Sequence, residues 1–248
     1  MTMSLLTWNL AWKARHSRSG RILADRIAAT GSDVACLTET MLDFPAEDGH
    51  VIAAEENYGY RIVPGRRKAL LWSRNPWRKT DCVGSPDLPP GRFVRGETET
   101  SIGAVTVVGI CIPWSHAHVT GGRRDRAPWE DHCAYLRHLR PILRGIEGPL
   151  IVMGDFNQRI PRMRGNAHAE ALLHAALGPL SVGTSGPIPV AGETGCRAAI
   201  DHIAHDASLT ARAVTGLSNH ADGRQLSDHF GVTVTLERVS SRNRHDTE

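Results

Sequence analysis

The sequence predicts an α+β fold in which β-sheets pack on one another and helices lie outside. Three observations lead there. Apolar, β-branched segments of strand length outnumber the helical segments. The helical segments interrupt the strands instead of succeeding them as a block. No internal repeat and no long linker divides the 248 residues, a length that one mixed sandwich domain can fill. The expected organisation is a single domain over residues 1–239 and a polar, unstructured tail over 240–248.

The elements are read in order along the chain. Leu5–Trp8 reads as a buried strand that ends on Asn9. Ile22, Leu23 and Ile27 recur at helical spacing, so a helix is expected from Gly20 to Ala29, with Gly31 after it. Val34–Thr38 is a second apolar strand, ending on Glu39. Tyr60–Val63, Ala69–Ser73, Phe93–Glu99 and Ile102–Ile112 read as strands. The last two are paired near a Glu97–Ser101 turn. A helix is expected from Pro128 to about Ile146, with Tyr135, Leu136, Leu139, Ile142 and Leu143 on one face and Pro141 kinking or shortening it. Leu150–Met153 is a strand that delivers Gly154-Asp155-Phe156-Asn157. A short helix over Ala167–Ala176 precedes a Gly/Pro-rich loop from Gly178 to Gly195. Ala199–His205 and Val232–Leu236 close the pattern as strands.

Composition sets outer limits. A hydrophobic share of 41% and a charged share of 22% suit an ordinary globular protein and argue against collagen or coiled coil. The net charge of +3 permits a polyanionic substrate without requiring one. Five cysteines, none spaced C-x-x-C, are expected to be reduced thiols and not a zinc site. The N-terminus lacks the pattern of a signal peptide, and no run reaches the ~18 apolar residues of a membrane span. The expected location is therefore the cytoplasm, and the expected state a monomer.

Chemistry-bearing residues occur where the apolar strands run out. Asn9, Glu39, Asp155 with Asn157, Asp201, and Asp228 with His229 all stand at such ends. Strand ends are rigid supports, and several can converge on one mouth. Together these side chains supply carboxylate oxygens for a hard cation, amide donors and an imidazole that a carboxylate can orient. Taken singly, each has an ordinary explanation: a turn cap, a solvated carboxylate or a core histidine. Only their joint occurrence points to a site.

Five segments occur in order: TWNL (Thr7–Leu10), DVACLTE (Asp33–Glu39), GDFNQ (Gly154–Gln158), IDHI (Ile200–Ile203) and SDHFGV (Ser227–Val232). This set resembles the signature segments of the endonuclease/exonuclease/phosphatase superfamily. That group includes AP endonucleases, DNase I-like nucleases, inositol polyphosphate 5-phosphatases and tyrosyl-DNA phosphodiesterases. The resemblance spans Leu5 to Leu236. It implies a four-layer α/β/β/α sandwich, two mixed sheets face to face with helices outside. It also implies magnesium, with manganese as a substitute, held by Glu39 with Asn9 beside it. Asp228 would be a further ligand or a neighbour of one. By the same resemblance Asp155 would orient or deprotonate water, Asn157 would donate to the phosphate, and His229, held by Asp201, would stabilise the transition state.

Two positions depart from the pattern. Cys111, in ICIP (Ile110–Pro113), stands where many members carry tyrosine, and His116 or His118 could serve instead. Ala11 replaces an aspartate found in some members, which weakens the expectation of a second metal. Three basic clusters are candidates for substrate contact: Arg66-Arg67-Lys68, Arg123-Arg124 with Arg126, and Arg159 with Arg162 and Arg164. The last two come after strand ends, which favours Arg124 and Arg159 as contacts to an anion. The expected function is metal-dependent hydrolysis of phosphate esters, with DNA the leading substrate. The alternatives are a phosphatase or phosphodiesterase for a small phosphorylated metabolite or lipid head group, and a catalytically degenerate binding module.

Overall fold

The structure, a computed structural model, describes residues 1–119 and 124–239. Arg123 and the expected tail lie outside the described residues. Alternation explains the first strand. Along β1 (Thr2–Asn9), Met3 and Leu5 point to one side of their sheet, while Leu6 and Trp8 point to the other. Both faces are covered, so the segment reads as a continuous apolar run.

The larger sheet has eight strands. From one edge they run β11 (Cys196–Ala198), β10 (Pro187–Ala191), β13 (Leu209–Leu217), β16 (Gly231–Arg238), β1, β2 (Val34–Met41), β4 (Arg66–Ser73) and β3 (His50–Ala53). The smaller sheet has six: β5 (Trp77–Asp81), β6 (Phe93–Thr100), β7 (Gly103–Cys111), β8 (Leu150–Asp155), β12 (Asp201–His205) and β9 (Ser181–Val182). β14 (His220–Ala221) and β15 (Arg224–Gln225) form a separate ribbon. Both large sheets are mixed: β1 pairs parallel with β2 and antiparallel with β16, and β7 pairs parallel with β8 and antiparallel with β6.

Leu5, Cys36 and Leu71 from the larger sheet meet Val107, Met153 and Ile203 from the smaller one, and together they form the core between the sheets. Helix α1 (Arg18–Ala29) places Leu23 on Leu6, Trp8 and Leu37 at the outer face of the larger sheet. Its first turn is capped by the Ser17 hydroxyl, which accepts from the Gly20 amide at 3.0 Å. Helices α2 (Glu130–Arg144) and α3 (Ala167–Leu177) place Tyr135, Leu139 and Leu173 on Val108, Val152 and Ala204, at the outer face of the smaller sheet. The four expected layers are therefore present. Among the described residues no helix is long and apolar enough to cross a membrane.

Several elements differ from expectation. Tyr60–Val63 is not a strand; Tyr60, Arg61 and Val63 instead line a polar cleft at the strand ends. Pro141 does not end α2, which continues to Arg144. The Gly178–Gly195 segment carries β9 and β10. In β10, Ile188 and Val190 are buried and alternate with exposed Pro187 and Pro189. The prolines, which read as loop signals, are tolerated because the strand lies near the sheet edge. β13 is not evident in the sequence because its small and polar residues alternate poorly and its register shifts between Ala211 and Ala213.

Candidate active site

Strand register assembles the site. Across the smaller sheet, Cys111 of β7, Asp155 of β8 and Asp201 of β12 stand in one row, Asp155 being paired with each neighbour. Across the larger sheet, Asn9 of β1 pairs with Thr38 of β2, which puts Glu39 next to it. The β2–β4 register runs through Thr38↔Ala69 and Thr40↔Arg67, so Glu39 stands opposite Lys68. Both rows end at the same mouth, where Asp228 and His229 arrive on the approach to β16. They line one cavity of about 670 Å³. Asn9, Glu39, Cys111, Asp155, Asn157, Asp228 and His229 are all on its wall.

Asp155 sits at the centre. Its carboxylate accepts from the Asn157 amide N–H at 2.9 Å, from Asn157 Nδ2 at 3.1 Å and from Asn9 Nδ2 at 3.0 Å. Asn9 is itself fixed, since its Oδ1 accepts from the Ala11 amide at 2.9 Å. In this arrangement the Asn9 oxygen is engaged by backbone and its amide orients Asp155. Burial, reinforced by the Asp201 carboxylate alongside, pushes Asp155 up to about 7.

His229 is held from below. Its Nδ1–H donates to Asp201 Oδ2 at 2.5 Å, and Trp8 Nε1 donates to its carbonyl at 3.0 Å. Burial alone would lower the imidazole pKa, but the Asp201 charge and hydrogen bond outweigh it and push His229 up to about 10. The ring is therefore an imidazolium at neutral pH, with Nε2–H left for the cavity. Ser227 joins the two halves by donating to the Asn9 carbonyl at 2.7 Å.

Backbone strain concentrates here. Glu39 and Asn157 both adopt left-handed backbone conformations, with φ of 45° and 53°, as do Ala11 and Trp12. Gly154 has φ of 134°, and a Cβ there would lie 2.0 Å from the Ile110 carbonyl oxygen. Only glycine lets β8 approach β7 this closely before it delivers Asp155.

The donor set suits a hard cation. Glu39 Oε1 accepts from Lys68 Nζ at 2.5 Å, while Oε2 has no hydrogen bond among the described residues. Asp228 exposes a second carboxylate on the same wall. All the acidic donors are oxygens, as magnesium or manganese prefers. Asp155, Asp201 and His229 also bring one ligating atom each to within 4.8 Å of one another. We read that trio as a proton-holding cluster instead, because Nδ1 of His229 carries a proton and is taken by Asp201.

The remaining expected contacts are distributed differently. Cys111 is buried, and desolvation pushes its thiol up to about 12, so it is neutral. His116 lies against Trp114 on the surface, and His118 Nδ1 accepts from the Arg126 amide at 3.1 Å; neither lines the main cavity. Arg124 borders an adjacent cavity of about 850 Å³. Arg159 borders a small one of about 110 Å³ on the other side of His229. The basic cluster that no strand end favours, Arg66 and Lys68, lines the main cavity, where Arg66 lies 4.8 Å over the Trp12 ring.

Two further residues are not singled out by the sequence. Arg92 lines the cavity. His132 of α2 is fully buried. Its Nδ1 donates to the Pro113 carbonyl at 2.7 Å and its Nε2 accepts from Gln158 at 2.7 Å, bracing the loop after Asn157. The Gln158 carbonyl also receives His202 at 3.0 Å. The Q of GDFNQ was the available signal, but its partner lies 26 residues away.

The sequence profile of the Endonuclease/Exonuclease/phosphatase family matches residues 6–229. No curated protein sequence matches the chain. Among solved structures, an AP endonuclease from Archaeoglobus fulgidus superposes with a TM-score of 0.67 at 14% identity, covering 94% of this chain and 98% of its own. A 3′ phosphatase, NExo, from Neisseria, bound to product DNA hairpin, gives 0.67 at 17% identity, covering 96% and 100%. D. rerio TDP2 complexed with single strand DNA product gives 0.66 at 13%, covering 95% and 99%. At these identities the likeness speaks for the fold.

Proposed function

The chain belongs to the endonuclease/exonuclease/phosphatase family, and from that premise we propose that it hydrolyses phosphate esters with a divalent cation, acting on DNA as a phosphodiesterase. The observation that carries this reading is the convergence of Asn9, Glu39, Asp155, Asn157, Asp228 and His229 on one cavity, with Arg66 and Lys68 on the same wall.

Each side chain takes a part that its contacts support. Glu39 and Asp228 would hold magnesium, which when bound neutralises phosphate charge and favours attack at phosphorus. Asp155 takes the proton from a water molecule. Asn9 keeps its carboxylate pointed at that water. Asn157 Nδ2 donates to the Ile112 carbonyl at 2.8 Å and to Asp155 Oδ2 at 3.1 Å; turned from Asp155 to a phosphate oxygen, it would leave Oδ2 with the Asn9 donor and the water. The His229 imidazolium donates from Nε2 to a second phosphate oxygen, where charge builds in the transition state. As the water oxygen bonds to phosphorus, the bond to the ester oxygen breaks, and the departing oxygen takes a proton from solvent, giving an alcohol and a phosphate monoester.

DNA is favoured by the cationic and aromatic rim, in which Trp12 and exposed Trp114 stand beside Arg66. Relatives of the same fold include structures with product DNA. A second reading, a phosphatase for a small phosphorylated molecule, is favoured by the cavity volume, which lies in the range of small-ligand sites. The test is a substrate panel of DNA, nucleotides and sugar phosphates with magnesium and with EDTA. Cleavage of DNA that stops with EDTA supports the first reading. Release of phosphate from small esters alone supports the second. No hydrolysis by folded, magnesium-loaded protein refutes both.

A further inference from the structure

Arg92 is among the largest fully buried side chains of the protein and lies on the wall of the catalytic cavity. Its backbone is pinned: the carbonyl accepts from the Cys111 amide at 3.0 Å and from the Tyr135 hydroxyl at 2.8 Å. The preceding Gly91 has φ of 65°, and a Cβ there would lie 2.2 Å from the Asn57 carbonyl oxygen, so the turn admits little else. The guanidinium is thus placed with little freedom.

Its bonding is poor for a buried cation. Among the described residues, Nε and Nη2 have no hydrogen-bond partner. Nη1 makes only long contacts, 3.4 Å to the Cys111 carbonyl and 3.8 Å to its sulfur. The other cations deep in the cavity are served: Lys68 has Glu39 and His229 has Asp201. Among the described residues no carboxylate pairs with Arg92. Buried charged donors are costly unless paired, and unpaired ones persist where a ligand supplies the partner.

We propose that Arg92 contacts the substrate directly, gripping a phosphate oxygen beside the position of Cys111. The inference rests on the reading of this cavity as a phosphate-ester site and names a binding residue for it. A guanidinium fork matches the oxygens of a tetrahedral phosphate, and it forms charge-assisted bonds that a neutral thiol cannot. Arg92 thereby fills the role sought at Cys111, one strand over.

The test is calorimetric titration of inorganic phosphate into the wild type, Arg92→Lys and Arg92→Met, with KM and kcat on the best ester found. Arg92→Met should weaken phosphate binding at least about tenfold and raise KM, and Arg92→Lys should recover part of both. The melting temperature of Arg92→Met without phosphate should not fall, because no ion pair is lost. A structural role alone would lower it and leave phosphate affinity intact. Unchanged affinity and KM in a folded Arg92→Met protein overturn the proposal, as does a wild type that binds no phosphate at millimolar concentration. If Arg92→Met does not fold, the Nε–H resonance of Arg92 in the wild type decides: it shifts on phosphate titration, or it stays fixed while phosphate binds, which overturns the proposal. A wild type that binds phosphate through Arg92 yet cleaves no ester would leave this inference standing and remove the hydrolase reading. Full hydrolysis with Arg92→Met unaffected would do the reverse.

Discussion

Replacing Asp201 by asparagine should turn His229 from a permanent cation into an ordinary histidine. The two groups meet at 2.5 Å in a buried setting, and the pair holds the imidazole at about 10 in place of its usual 6.5. Each pKa unit is worth about 1.4 kcal/mol, so the difference caps the stabilisation of the imidazolium at ~5 kcal/mol. Asparagine keeps the shape and removes the charge. Burial, which opposes the charged ring, is then countered only by the smaller effects of Asp155 and Asp228, and the midpoint should fall well below 10. The stabilising effect has a definite pH window. The folded pKa exceeds the unfolded one, so the contribution is complete below about 6.5 and is lost as pH rises through about 10. Proton–nitrogen correlation spectra of the ring across pH 5–11 would measure the midpoint in both proteins. Turnover of Asp201→Asn at pH 8 should drop by roughly 10²-fold with KM little changed, since a donor to the transition state is lost. A wild-type midpoint near 6.5, or one that Asp201→Asn does not move, would show that Asp201 does not hold His229 as a cation.

Other outcomes are expected from the same contacts. Asp155→Asn should lower kcat by about 10³-fold or more while keeping the fold. Because the folded carboxyl sits near 7, the wild type should lose stability as pH rises from about 4 to 7, and denaturation curves of Asp155→Asn should show that loss reduced. Wild-type kcat/KM should rise with pH toward the ionised form of Asp155 and fall again as His229 deprotonates near 10, which a pH–rate profile would reveal. Glu39→Gln should weaken magnesium binding about tenfold or more by calorimetry, as it removes a carboxylate and leaves Lys68 without its partner. Gly154→Ala should destabilise the protein by about 3 kcal/mol or more in urea, from a Cβ placed 2.0 Å from the Ile110 oxygen and a backbone that disfavours side chains.

The parts of the fold legible in the sequence are those where local pattern and burial agree. Leu5–Trp8, Val34–Thr38 and Leu150–Met153 are central strands covered on both faces, so each is an apolar run with a polar stop. The stops mark the cavity, which is why Asn9, Glu39 and Asp155 can be named from sequence. β13 and β10 are hidden because exposed strands near an edge carry small residues and prolines. The cavity placement of Lys68 and Arg92 is hidden for another reason. Nothing local distinguishes a basic residue in a solvated loop from one turned into a cavity. The facing of Glu39 and Lys68 is a matter of strand register, and the isolation of Arg92 is a matter of what lies around it in three dimensions. The burial of His132 is not legible because one helical turn of context cannot reveal that Pro113 and Gln158 close over it.

The most direct test of the central claim is the rate of ester cleavage by wild type and Asp155→Asn, each with magnesium and with EDTA, on DNA and on small phosphate esters in parallel. Cleavage is expected from the wild type with magnesium, with its loss in EDTA and its near-absence in a folded Asp155→Asn protein. Cleavage that survives EDTA, or that Asp155→Asn retains in full, would contradict it.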